Sequence, residues 1–240
     1  MVSLVRKYHK WLMAFVGIQF LFWSITGLYM VSVNIHYIHG ETLAKDEAAK
    51  LDLSQVSFSF SELSARYPQA SNISLVLSMG KPIYVFTNYV FTGSDKQKLA
   101  VDAKSGEQLA LVDEARARQI AEYYYADGHP IDTIRLIIKR ADLPAELSPR
   151  HLPVWRVTFD GMATPTFYIS QQTHAVVTKR HDFWRLFDWM WRFHIMDYDD
   201  GENVANWFLL LIASLGLLAA IAGAVLTYLR IFAAKQQVTR

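Results

Sequence analysis

The sequence predicts an α+β membrane protein: two transmembrane helices flanking a tandem helix-plus-antiparallel-sheet domain. Three observations predict it. Residues 11–33 form an uncharged apolar run of 23 residues, and residues 207–231 form a second of similar length with only Arg230 near its end. As helices, such runs rise about 34 Å, enough to cross a hydrocarbon core of ~30 Å. All 22 acidic residues lie between Glu41 and Glu202, so the polar mass is confined to the segment between the two runs. Within that segment, short apolar stretches punctuated by turn residues read as strands.

Taken in order, residues 1–35 read as a cytoplasmic N-terminus and the first transmembrane helix. The RKYHK flank resembles the positive region of a signal peptide, but the apolar run is too long and lacks a small-x-small cleavage pattern. It reads as an uncleaved signal anchor. Arg6, Lys7 and Lys10 precede the first run, and Arg230, Lys235 and Arg240 close the second, with no acid in either tail. The intervening segment holds the other 18 basic residues against 22 acidic ones, a net charge of −4. Positive flanks stay on the cytoplasmic side, so both termini are expected there and the central domain on the translocated side, the periplasm in a bacterial inner membrane.

Residues 36–181 carry a pattern that repeats. SFSELSARYP reads as a short helix, ISLVLSM and KPIYVFTN as strands, and KLAVDAKSGEQLALV as a hairpin turning at residues 104–106. Then EARARQIAEYYYADG is helical, IDTIRLIIKR and LPVWRVTFD are strands, and TPTFYISQQTHAVVTKR is a hairpin. Pro82 to Val85 align with Pro153 to Arg156 at an offset of 71, and Asp102 to Leu109 with Ser170 to Val177 at 68. Two copies of one unit are expected, at about 53–112 and 113–181. His174 falls where the first copy has Gly106, which places it in a turn. Residues 182–203 form an interfacial aromatic helix and an acidic turn, and 204–240 the second transmembrane helix with its cytoplasmic tail.

The chain contains no cysteine, which excludes disulfides, thiolate ligation, iron–sulfur clusters and cysteine nucleophiles. No Gly-rich nucleotide motif occurs, and the charge distribution gives no nucleic-acid surface. Histidines are the informative residues. His36, His39 and His194 all lie at the translocated ends of the two runs. His9 lies about 40 Å of helix away from His36, at the opposite face. His129, His151, His174 and His181 sit beside turns or basic neighbours without metal-ligand spacing.

The opening helix HKWLMAFVGIQFLFWSITGLYM, the later segment FHIMDYDDGENVANWFLLL leading to IAGAVLTYLR, and the hairpin VDAKSGEQL together resemble the PepSY-associated transmembrane proteins. That family includes small membrane-embedded ferric reductases. The resemblance touches both spans and the central domain, and it implies a periplasmic PepSY-like domain and haem b held by axial histidines. The function it implies is transmembrane electron transfer that reduces periplasmic ferric iron to ferrous iron, which then feeds a ferrous transporter. His194 and His36 are the implied ligand pair, with His39 the substitute and His9 a ligand or electron-entry residue. Arg185 and Arg192 are suited to haem propionates. Asp197, Asp199, Asp200 and Glu202 offer hard oxygens for ferric docking; a solvated stop capped by Asn203 or Asn206 explains the same run.

Gly17, Ser24, Gly27, Gly216, Ala220 and Gly223 offer room for a porphyrin, or ordinary small-residue helix packing. Many relatives have four or more spans, so a homodimer is expected to supply the rest. The electron donor is external: a quinol, or a cytoplasmic reductase or flavin. Two other readings fit the same residues. One is a non-enzymatic anchored PepSY binding or inhibitory protein; the other is a cytochrome b subunit serving another acceptor.

Overall fold

A computed structural model describes residues 2–45, 51–89, 96–199 and 201–238. In chain order its helices and strands begin with α1 (Val2–Ser32), α2 (Ile35–Ile38), α3 (Phe60–Arg66), β1 (Ala70–Ser78), β2 (Lys81–Tyr89) and β3 (Lys96–Asp102). They continue with α4 (Glu114–Tyr124), β4 (Ile131–Ile137), β5 (Val154–Phe159), β6 (Thr166–Ser170), β7 (Val176–Arg180), α5 (Asp182–Ile195) and α6 (Trp207–Val238). The chain divides into a helical unit, residues 1–34 with 186–240, and an α/β unit, residues 35–185.

In the helical unit, Arg6–Ser32 and Trp207–Ile231 are long and apolar enough to cross a membrane. Large apolar side chains such as Trp11, Phe15, Phe20, Leu210, Leu217 and Val225 are exposed around them, as expected where lipid is the solvent. The two helices meet along narrow seams. On α1 the less exposed positions run His9, Leu12, Val16, Gln19, Trp23 and Thr26, alternately three and four residues apart. On α6 the corresponding seam is Ile212, Gly216, Ala219, Gly223 and Leu226. This spacing of about 3.5 residues is that of left-handed knobs-into-holes packing. A Cβ on Gly216 would lie 3.6 Å from Val16, and one on Gly223 would lie 3.2 Å from His9, so the helices run antiparallel and glycine permits the approach.

The start of α6 is fixed by Asn206, whose Oδ1 accepts from the Leu209 amide at 2.8 Å. Its Nδ2 donates to Ile195 O at 2.8 Å, closing the loop back onto the end of α5. Asp197 is buried in that loop and accepts from the amides of Asp199 (3.3 Å) and Asn203 (2.9 Å). The expected break before the helix is therefore a tied turn, and Asn206 is its cap.

The α/β unit contains two antiparallel sheets, ordered β1-β2-β3 and β4-β5-β6-β7. Each has its own apolar core. Ser59 caps α3 in a capping box with Glu62, which directs Leu63 onto Phe58, Phe86 and Val101. Asp113 caps α4, whose Ala117, Ile120 and Ala121 pack on Trp155, Val157, Phe159, Phe167 and Ile169. The period of two along β5 turns Trp155, Val157 and Phe159 inward and leaves Arg156 and Thr158 on the opposite face.

Hydrogen bonds repeat at the offsets found in the sequence. Asp102 Oδ1 accepts from the amides of Lys104 and Ser105, and Ser170 Oγ accepts from those of Gln172 and Thr173. The amide of Asp102 donates to Glu107 O, and that of Ser170 to Ala175 O. Gly106 (φ +73°) and His174 (φ +57°) occupy the same left-handed position, so the turn assignment for His174 stands.

The two segments differ after this turn. The later one continues into β7, whereas the hairpin expected after Lys104 shrinks to a bridge between Val101 and Gln108. The reason lies in residues 110–112. Ala110 O accepts from His174, Val112 N donates to Gln171 O, and Val112 O accepts from the Trp155 indole, which draws this segment onto the second sheet.

Candidate functional site

The best-defined polar constellation in the helical unit is built around His194. Trp23, Thr26 and Gly27 share one face of α1, three and four residues apart. The Trp23 indole donates to His194 O at 2.8 Å, satisfying a carbonyl in the last turn of α5 that has no helical partner. The buried Thr26 Oγ1 lies 3.0 Å from His194 Nδ1. Gly27 forms the floor, since a Cβ there would sit 3.5 Å from His194 Cε1 and 3.9 Å from Nδ1.

The Thr26 hydroxyl has one proton and three acceptors in reach: Phe22 O at 2.8 Å, Trp23 O at 3.3 Å and His194 Nδ1 at 3.0 Å. When the proton goes to a helix carbonyl, Oγ1 accepts from His194 Nδ1–H and Nε2 keeps the lone pair. Nε2 has no hydrogen-bond partner among the described residues. An imidazole in that tautomer can ligate a metal through Nε2.

At the other end of the same helix pair, His9 packs on Gly223. Its Nδ1 is buried without a hydrogen-bond partner among the described residues. Arg6, Thr227 and Arg230 join it around an open cleft of about 700 Å³. From His9 to Thr26 is about 26 Å along α1.

The other expected residues are placed as follows. Within the α/β unit, His36 is exposed, and its Nδ1 lies 2.8 Å from Glu41 Oε2. His39, also exposed, packs at 5.2 Å on the Trp184 ring. Arg185 is engaged within the protein: it forks onto both oxygens of Glu146 (2.8 and 3.0 Å) and reaches Asp182 at 2.8 Å. Burial pushes the Glu146 carboxyl up, but the hydrogen bonds from Arg185 and Tyr168 outweigh it and hold it below the usual carboxylate range. His174 and His181 are buried and meet backbone carbonyls of Ala110 (3.0 Å) and Tyr37 (2.8 Å).

In the helical unit, Arg192 lies over the Trp189 ring and reaches Asp199 O at 3.3 Å. Asp197 serves the loop amides, Asp199 and Glu202 are exposed, and Asp200 lies outside the described residues. Among the described residues, no three His, Asp or Glu side chains converge as a metal cluster.

Two members of the constellation, Trp23 and Thr26, were not singled out by the sequence as partners of a histidine. A threonine and a tryptophan three residues apart in an apolar span were the available signal, since both carry polar groups that need a partner away from water. Comparison with protein-family models, curated proteins and solved structures finds no match for this chain.

Proposed function

We propose that this chain is a haem-b-binding inner-membrane protein that passes electrons across the membrane and reduces periplasmic ferric iron to ferrous iron for uptake. The observation that supports it most is the 3.0 Å contact between His194 Nδ1 and Thr26 Oγ1; in this reading Nδ1 carries the proton, and Nε2, which has no hydrogen-bond partner among the described residues, carries the lone pair. His194 Nε2 holds the iron in this reading. Haem b supplies the one-electron chemistry when bound.

His36 is the second ligand in this reading. The carboxylate of Glu41 at its Nδ1 suits that role, because a hydrogen-bonded partner orients an imidazole and raises its basicity. The seam between α1 and α6 has no room for a porphyrin, because Val16 and His9 already fill the space over Gly216 and Gly223. Of the glycines on α1 and α6, Gly17 alone is open, with nothing within 4 Å of a Cβ built there. The cofactor's walls must then come from outside the seam, which favours a homodimer. Both termini face the cytoplasm by the charge of their flanks, and the donor reaches the protein from that side or as a quinol.

The test is spectroscopic. Protein purified after haem-supplemented expression is expected to show a Soret band and a reduced-minus-oxidised b-type spectrum. His194→Ala is expected to lose both. Reduced protein mixed anaerobically with ferric citrate is expected to reoxidise. Absence of a Soret band overturns the proposal in favour of a non-enzymatic module. A haem that ferric citrate fails to reoxidise overturns iron as the acceptor.

A further inference from the structure

The face of the second sheet turned away from α4 carries an arrangement that folding alone disfavours. Arg135 and Arg156 stand directly opposite each other across the β4–β5 pair. Like charges at that position repel and destabilise the pairing. Neither arginine side chain has a hydrogen bond or ion pair among the described residues, and Arg156 Nε is buried without a partner. Glu146, which accepts at 2.6 Å from the hydroxyl of Tyr168 opposite Arg156, is already engaged by Arg185.

Beside the arginine row runs a row of hydroxyls, with Thr133 opposite Thr158 and Thr158 opposite Thr166 across the same strands. Both rows line one open cleft of about 450 Å³, a volume in the range of small-ligand sites. Asp132 also lines it, where the strand register is irregular, without an ion pair to either arginine.

We infer that this face binds a small multiply charged oxyanion, its carboxylate or phosphate groups bridging Arg135 and Arg156 and accepting from the hydroxyls of Thr133 and Thr158, since Thr166 already gives its proton to Thr164 O at 3.1 Å. Two adjacent guanidinium forks match the geometry of carboxylate and phosphate oxygens. The bound anion neutralises the repulsion and gives the buried Nε an acceptor. Thr133 and Thr158 add donors that a merely solvated pair of arginines would not need. The inference stands apart from the haem reading, because none of these residues takes part in it.

The experiment uses the full chain in detergent, titrated with inorganic phosphate and with citrate against chloride at matched ionic strength, read by calorimetry and thermal unfolding. Saturable binding that raises the melting temperature is expected. Phosphate alone or citrate alone as the effective probe assigns the oxyanion class. Arg156→Gln and Arg135→Gln are each expected to weaken binding by at least about tenfold, the loss of one charge-assisted hydrogen-bonded pair. Without ligand, both variants are expected to melt no lower than the parent, because each removes a repulsion. Asp132→Asn is expected to tighten binding.

Three results overturn the inference: no saturable binding of either anion up to about 10 mM, an affinity range of negligible specific interaction; parental affinity in Arg156→Gln; or weaker binding in Asp132→Asn, the signature of a cation site.

Discussion

Replacing Thr26 with valine removes one hydroxyl and keeps the shape of the side chain. In the arrangement proposed for the parent, Thr26 Oγ1 accepts from His194 Nδ1 at 3.0 Å while giving its proton to Phe22 O at 2.8 Å. In Thr26→Val, nothing fixes the proton on Nδ1, and the tautomer with the proton on Nε2 competes for the same ring. That tautomer cannot ligate through Nε2. Loss of such a partner lowers metal affinity by roughly 10–100-fold, or about 1.4–2.7 kcal/mol. The cost to folding is smaller, near 0.6 kcal/mol on average for an interhelical hydrogen bond in a membrane. Affinity and stability should thus separate. Haem titration of the apoprotein, followed at the Soret band and paired with thermal unfolding, measures both. Thr26→Ser, which restores the hydroxyl, should recover most of the affinity. Parental haem affinity in Thr26→Val would refute the tautomer argument, whatever became of the melting temperature.

Other substitutions grade the same physics. Gly27→Ala places a methyl at 3.5 Å from His194, an ordinary contact, and should bind haem like the parent, whereas Gly27→Leu should displace the ring and lose the spectrum. Gly106→Ala puts a Cβ 2.6 Å from Phe58 at a positive φ and should lower stability by about 2 kcal/mol or more in chemical unfolding. Gly128→Ala shares the positive φ but meets nothing within 4 Å, so only the conformational cost of about 1 kcal/mol should appear. Burial holds the His174 imidazole below its ordinary value. The unfolded chain therefore takes up that proton first, so stability is full above about pH 6.5 and falls as the pH drops below it. Denaturation midpoints at pH 7.5 and 5.5 should show the loss, and His174→Asn, which tolerates the left-handed backbone, should reduce it.

The sequence made the architecture legible wherever one local rule acted alone. The apolar runs have no other solvent to suit them, and residues 82–85 and 153–156 keep a spacing that the backbone hydrogen bonds repeat. The shortened hairpin after Gln108 was not legible, because Val112 is captured by Gln171 and Trp155, residues remote in sequence. Arg185 illustrates the same limit. An arginine beside an aromatic helix suits a propionate by type, but Glu146, 39 residues earlier, holds it through a fork. His194 stood out by its residue type and position, while the residue that sets its tautomer, Thr26, is 168 positions away.

The seam also sets a phase. His9 rests on Gly223 and Val16 on Gly216, seven residues apart on both helices, so the two contacts come into step together. Sliding α6 by one turn, about 5.4 Å, would carry both glycines off their partners at once. The loop clamp from Asn206 to Ile195 ties the start of α6 to the helix end that bears His194. The contacts at His9 and at Thr26, about 26 Å apart along α1, thus belong to one register of the two helices.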